Sequence, residues 1–440
     1  MESRDDLIGR ARGRIAGYWQ QRQHRNAAYL MLNPILGAAA GLLFWLLLAR
    51  VAGLAPSAVG LGYALIALGT TVGVLAKGGL DTALIRNVPA ASQQEGRRLL
   101  KIAILVGTLL AFVLAGLLAA ASWAGQVWLD VSPSGWMLVC AIAALLVITW
   151  LQDAHFLAEG EARYSFIRNI AFSVARLALP LPLVLWAFPQ PVALTWALAL
   201  GASAVAATIL RNRLPPREGR AVEARDFLQS ALRNVSGSAA EFLPGLLLAP
   251  LVLAVDGPEA AGYFGIAWTA ASLLFLACAA ISRSAFAEMV HGGPRALPTA
   301  IRHGVRQQIF LLAPAAALGA VLAPLVLSIF GPAYAREGSM VLTILCASTA
   351  VVAPTYFYLA LLRAQERPVA LLLFPVAMVA ALAVLAPSLG ARFGLPGVAV
   401  AWFLANIPFA AYAVWKLRAA AREVRPHAEP SPVHHPAHVE

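Results

Sequence analysis

The chain has 440 residues, 60% hydrophobic and 12% charged, with 33 Lys and Arg against 21 Asp and Glu and a mean hydropathy of +0.74. A water-soluble fold of this composition would expose more apolar surface than solvent tolerates, which excludes a soluble globular protein. The net charge of +12 does not indicate nucleic acid, because the cations fall in segments between apolar runs and not along one soluble face.

Residues 1–28 place Leu7, Ile8, Ala11, Ile15, Tyr18 and Trp19 at helical spacing among Arg4, Arg10, Arg12, Arg14, Arg22 and Arg25. Such a pattern fits an amphipathic cytoplasmic leader on the membrane surface, or a solvated one. Beyond it come apolar runs of about 20 residues, enough for a helix to cross roughly 30 Å of hydrocarbon. They lie near 29–50, 58–80, 101–123, 135–157, 166–188, 191–210, 234–255, 261–282, 307–330, 339–362, 368–389 and 396–415. Barrel strands would alternate in polarity, and these runs do not. The expectation is an all-α polytopic membrane protein of about twelve transmembrane helices.

Of the 33 Lys and Arg, 29 fall in the leader, the tail and the connections on the same side of the spans. Only Arg50, Arg336 and Arg392 fall in the opposite connections, and Arg176 lies inside a span. The positive-inside rule then places both termini in the cytoplasm. Cys140, Cys278 and Cys346 all fall inside spans, where a thiol packs as a small hydrophobe.

The turn after the first span carries Pro56, Ala58 and Gly60, and the same spacing returns as Pro258, Ala260 and Gly262. Six spans lie on each side of a basic cytoplasmic linker at 211–233, so residues 29–210 and 234–416 read as two six-helix bundles in a parallel repeat around a central cleft. Residues 417–440 form a polar, Pro-rich tail containing His427, His434, His435 and His438. It is expected to be disordered, and its histidines lack the acidic or Cys partners of a metal site.

The stretches LLLARVAGLAPSAVGLGYAL, GGLDTALIR, DGPEAAGYFGIA, FGPAYAREGSMVLTIL, LLRAQERP and GLPGVAVAWFLAN occur in this order across residues 30–416. With twelve spans, their order and spacing resemble the polysaccharide (O-antigen) flippase family of the multidrug/oligosaccharidyl-lipid/polysaccharide exporter superfamily. The resemblance implies a bacterial inner-membrane protein that moves an undecaprenyl-pyrophosphate-linked oligosaccharide to the periplasmic leaflet by alternating access, for surface polysaccharide biosynthesis. Its partners would be that lipid-linked oligosaccharide, membrane lipids and the polysaccharide polymerase machinery. The related lipid II flippases carry two further spans, for which this chain has no room.

Ionised side chains in a span usually face a cavity or a partner. Arg176 lies eight residues past Arg168, roughly 12 Å along a helix. Its planar fork suits a pyrophosphate head group, and a structural ion pair or carbonyl-capping role is the plainer reading. Glu241 lies eight residues past Arg233 and is a candidate for proton or sodium coupling, or for an ion pair with Arg176. Lys77, Asp81, Arg86 and Arg283 stand at the inner ends of the second and eighth spans. The three cations would attract an anionic head group, Asp81 would join Glu241 in ion coupling, and the positive-inside rule alone also accounts for the cations. Asn33, Asn234 and Asn406 are read as interhelical hydrogen-bonding groups.

No cofactor, nucleotide-binding loop, metal site or catalytic constellation is apparent. The short outward connections lack histidine, which argues against an embedded polymerase or ligase. A cation-coupled multidrug exporter of the same superfamily is the closest alternative, and it would favour an apolar or acidic cavity over a basic one.

Overall fold

The computed structural model describes residues 25–26, 28–125, 129–235, 243–365 and 367–423, with the side chains of 287–288, 290–297, 368 and 423 set aside. The leader up to residue 24, Glu241 and the tail from residue 424 therefore lie outside the described residues.

Helices α1 (Ala28–Val51) and α2 (Pro56–Lys77) form the first hairpin, and α3 (Leu80–Asn87) follows a break at Gly78. α4 (Gln93–Trp123), α5 (Pro133–Ala158), α6 (Ala162–Leu185) and α7 (Pro191–Arg211) complete the first half. The short helix α8 (Ala224–Arg233) belongs to the linker.

The second half contains two apolar stretches that are too long for one crossing, Leu243–Phe286 of 44 residues and Val369–Arg422 of 54. Each is interrupted by a glycine in the left-handed region, Gly257 at φ 82° and Gly394 at φ 61°. The chain reverses at both points. Gly245 packs against the Trp268 ring, and Gly397 against the Leu389 carbonyl. In one straight helix Gly245 and Trp268 would be roughly 35 Å apart. The second half is therefore α9 (243–256), α10 (258–286), α11 (Pro298–Val321) with its short extension α12 (Ala323–Ser328), α13 (Pro332–Ala364), α14 (369–393) and α15 (395–422). Counting the two broken stretches as two crossings each turns ten membrane-capable helices into twelve.

Three expected boundaries move. The ninth span, expected at 307–330, runs from Pro298 to Val321, so Arg302 and Arg306 lie on α11 and not in the connection before it. Asn234, assigned to the seventh span, caps the C-terminus of α8 and bonds the Ser230 carbonyl at 2.7 Å. α15 continues to Arg422, so residues 417–422 are helix and not tail. Asn33 accepts from Asn169 on α6 at 2.6 Å, the interhelical bond expected of it, whereas Asn406 bonds within its own helix to Trp402.

α4 shows how sequence periodicity sets the packing. Ala103, Gly107, Ala111, Ala115 and Ala119 recur every fourth residue and are buried, while Leu105, Leu109, Val113 and Leu117 on the other face are exposed. Helices in hydrocarbon gain little from burying leucine against leucine, so small residues that allow close approach take the protein-facing side. α2, apolar on all sides, is buried along most of its length between α5 and α10.

The short connections, at 52–55, 124–125 with 129–132, 186–190, 257, 329–331 and 394, gather at what we call the short-loop end; the basic connections form the other end. At the short-loop end the repeated motifs meet each other. A Cβ added to Gly60 would overlap the Pro258 carbonyl oxygen and the Gly262 nitrogen, and one added to Gly262 would overlap the Pro56 carbonyl. Glycine Cα–H groups thus lie against carbonyls across the junction of the halves, a contact no other residue allows. Beside it Arg50 donates from Nε to Ile329 O and from Nη2 to Ser328 O, both at 2.8 Å, and caps the C-terminus of α12. At the basic end Arg217 of the linker binds Glu159 at 2.8 Å and the carbonyls of Ala91 and Val88, tying the strap to the α3–α4 connection.

Gly60→Ala is expected to destabilise the purified protein by about 1–3 kcal/mol through overpacking. Gly116→Ala, where an added Cβ meets nothing within 4 Å, should leave the melting temperature unchanged or raise it. Equal melting curves for the two variants would contradict the backbone contact.

Candidate functional site

Below the glycine contact the two halves part, and a cavity of about 430 Å³ opens between them. α1, α2, α6 and α7 contribute from one half, and α9, α10, α13 and α15 from the other. Eight aromatic side chains line it: Trp45, Tyr63 and Trp196 on one side, Phe264, Trp268, Phe275, Tyr356 and Trp402 on the other. They brace one another. Trp268 meets Trp402 edge-on at 5.1 Å, Trp45 lies 5.1 Å from Tyr63, and the Trp402 indole donates to Ser348 Oγ at 3.2 Å.

Arg176 is the one charged side chain in this lining among the described residues. It is only 4% exposed. Its Nη2 donates to the Gly37 carbonyl at 2.8 Å, and its guanidinium carbon lies 4.9 Å from the Phe172 ring centre and 5.5 Å from that of Trp196. Gly37 and Gly41 of α1 line the cavity beside it. Its Nε and the Trp196 indole N–H are buried without a hydrogen-bond partner, and no carboxylate pairs with Arg176 among the described residues. Two orphaned donors and one unneutralised positive charge in an apolar wall call for an acceptor-rich, anionic group.

Arg168, two turns earlier on α6, fares differently. Counted with the cations of the connection before α6, it is buried in the structure. Nε and Nη2 form a bidentate pair with Asp153 Oδ1 and Oδ2 at 2.8 and 2.7 Å, and Nη1 reaches Ser203 Oγ at 3.5 Å. This charge is spent on joining α5, α6 and α7.

The other sequence candidates lie elsewhere. Lys77 is buried, paired to Asp81 at 2.7 Å and set 5.5 Å from the Trp150 ring centre, so these two residues are brought together at the basic end of α2. Asp81 also accepts from the Thr82 backbone N–H at 2.8 Å. Arg86 and Arg283 are exposed, and neither they nor Lys77 and Asp81 line the cavity. Glu241 lies outside the described residues, as does any pairing with Arg176. Of the candidate cations, Arg176 is the one that lines this cavity among the described residues. The aromatic lining was missed by sequence reading, although Phe264, Trp268 and Phe275, spaced four and seven apart, mark one face of α10.

No family model matches the sequence, and no curated protein matches it significantly. Solved structures do resemble it. A multidrug resistance MATE family transporter of the MOP superfamily in an inward-facing conformation superposes with a TM-score of 0.67 at 15% identity, covering 88% of this chain and 96% of its own. The fold is that of the MOP-superfamily transporters. The lipid II flippase MurJ in an inward closed conformation gives 0.66 at 13% identity, covering 89% of this chain and 87% of its own. An outward-facing MATE transporter gives 0.57 at 16% identity, covering 91% and 97%. Within the MOP fold the cavity described here occupies the junction of the two halves, with Arg176 on its wall.

The two arginines of α6 should respond oppositely to neutralisation. Asp153→Asn leaves a buried Arg168 without its counter-ion and is expected to cost about 3–5 kcal/mol of stability, most of it recovered in Asp153→Asn with Arg168→Gln. Arg176→Gln orphans no partner charge and should shift the melting temperature little. Thermal unfolding of the purified variants checks both, and a large loss in Arg176→Gln would make that residue structural.

Proposed function

We propose that this protein is a flippase for an anionic lipid-linked oligosaccharide. The motif resemblance supports an undecaprenyl-pyrophosphate carrier, moved across the bacterial inner membrane for surface polysaccharide biosynthesis and passed to polymerase machinery. The observation that carries this reading is Arg176, a buried guanidinium with a free Nε beside a free indole N–H and no carboxylate partner among the described residues. A guanidinium stays charged in a low-dielectric wall and donates two parallel hydrogen bonds to phosphate oxygens. A cationic drug would be repelled there. The positive-inside bias supports a basic end in the cytoplasm with both termini there, so the contacts at Gly60, Gly262 and Arg50 would close the periplasmic end. In this reading release requires those contacts to part, the rocking motion of alternating access.

One observation favours a second reading. A 430 Å³ cavity ringed by eight aromatic side chains is the size and character of a drug site. A multidrug exporter with this cavity would take neutral or anionic aromatic compounds.

Deleting the gene is expected to cause lipid-linked oligosaccharide to accumulate on the inner leaflet and surface glycan to fall. Wild-type protein restores export, Arg176→Ala does not, and Arg176→Lys restores it in part because it keeps the charge without the fork. Unchanged glycan in the deletion strain, with heightened sensitivity to aromatic anions, would instead select the exporter.

A further inference from the structure

A second cavity, of about 830 Å³, lies within the second half between α11, α13 and α15 and shares no lining residue with the aromatic chamber. The residues between the two are packed: Gln308 of the π-helical turn Gln308–Leu312 donates to the Ala353 carbonyl at 3.2 Å and approaches Ser282 Oγ at 3.5 Å. The groove floor is built from alanines, among them Ala313, Ala317 and Ala350, which are exposed between flanking larger side chains. At the short-loop side it is closed where Thr343 Oγ1 bonds the Ala320 carbonyl at 3.2 Å. At the basic end two exposed arginines, Arg302 on α11 and Arg418 on α15, stand on its rim. Among the described residues the lining holds no acidic side chain.

An apolar trough within the membrane that ends in two guanidinium groups, neither paired with a carboxylate among the described residues, is complementary to a lipid with a hydrocarbon chain and an anionic phosphate head. Its length selects the kind of chain. From Arg302 to Ala320 α11 rises roughly 27 Å, and from the last basic residue, Arg306, to Ala320 roughly 21 Å, whereas one leaflet supplies only about half of a hydrocarbon core of roughly 30 Å. An ordinary acyl chain ends near the midplane; the trough continues past it. The π-turn widens α11 along this trough.

We infer that the groove between α11, α13 and α15 holds the hydrocarbon chain of a polyprenyl phosphate-type lipid, with Arg302 and Arg418 on its phosphate. This rests on the flippase reading only for the biological identity of that lipid, since chain length and charge are argued from the groove itself. The tail site shares no lining residue with the cavity of Arg176.

The test measures binding of undecaprenyl phosphate to the full-length protein in nanodiscs of neutral phosphatidylcholine by native mass spectrometry. Wild-type protein should bind one molecule. Ala350→Trp and the milder Ala317→Leu fill the trough and should weaken binding, the first by about tenfold or more. Arg302→Gln with Arg418→Gln, both exposed and not needed for folding, should also weaken it about tenfold, the equivalent of losing a charged hydrogen bond, and should leave the weaker binding of the neutral alcohol undecaprenol unchanged. Unaltered affinity in the filled-groove variants, or displacement of undecaprenyl phosphate by an equal amount of phosphatidylglycerol, overturns the inference. A deletion strain with normal surface glycan removes the flippase reading and leaves the groove intact.

Discussion

The architecture depends on two glycines that leave no room for a side chain. Gly60 and Gly262 lie at equivalent places in the two repeated motifs, and each sits against the backbone of the other half. The repeat is therefore a contact as well as a resemblance within the sequence. A backbone contact of this kind is close and small in area, so it holds the short-loop ends of α2 and α10 together while the helices separate below. Arg50 adds hydrogen bonds to two carbonyls at the end of α12, which are orphaned acceptors in any helix. Everything that makes a cavity at the junction follows from the halves being joined at one end.

Two arginines on α6, eight residues apart, show what distinguishes a structural charge from a candidate site. Arg168 meets both oxygens of Asp153 and a hydroxyl, so its fork is filled by the protein itself. Arg176 meets one carbonyl and two aromatic faces, and keeps an Nε without a partner. Burying an unneutralised cation is costly, and the aromatic rings and the Gly37 carbonyl offset that only in part. The remaining deficit is what an anionic ligand would remove.

The aromatic wall changes the electrostatic picture of the cleft from a basic channel to an apolar chamber with one positive point. In low dielectric a single charge acts over a longer distance than several in water. Two cations at the basic end have local work instead. Lys77 is neutralised by Asp81, and Arg217 fastens the linker to Glu159 and to the α3–α4 connection. This linker is packed against the first half through α8, whose Ala231 carbonyl touches Gly79.

The crossings, their approximate ends and the duplication were legible in the sequence, because hydrocarbon imposes its length and polarity on each segment separately. So was the place of Arg176 within a membrane-capable helix, which needs only the distance along one segment. Partnership was not legible. Asp153 neutralises Arg168 because α5 passes beside α6 at that level, and the eight cavity rings come from six different helices. The start of the seventh crossing was misplaced for a similar reason, since Asn234 ends a surface helix that packs on α3 before the chain enters the membrane. Sequence alone determined what must be buried in the membrane, and the tertiary structure decided which buried groups find a partner, because burial is a property of a segment and pairing is a property of two.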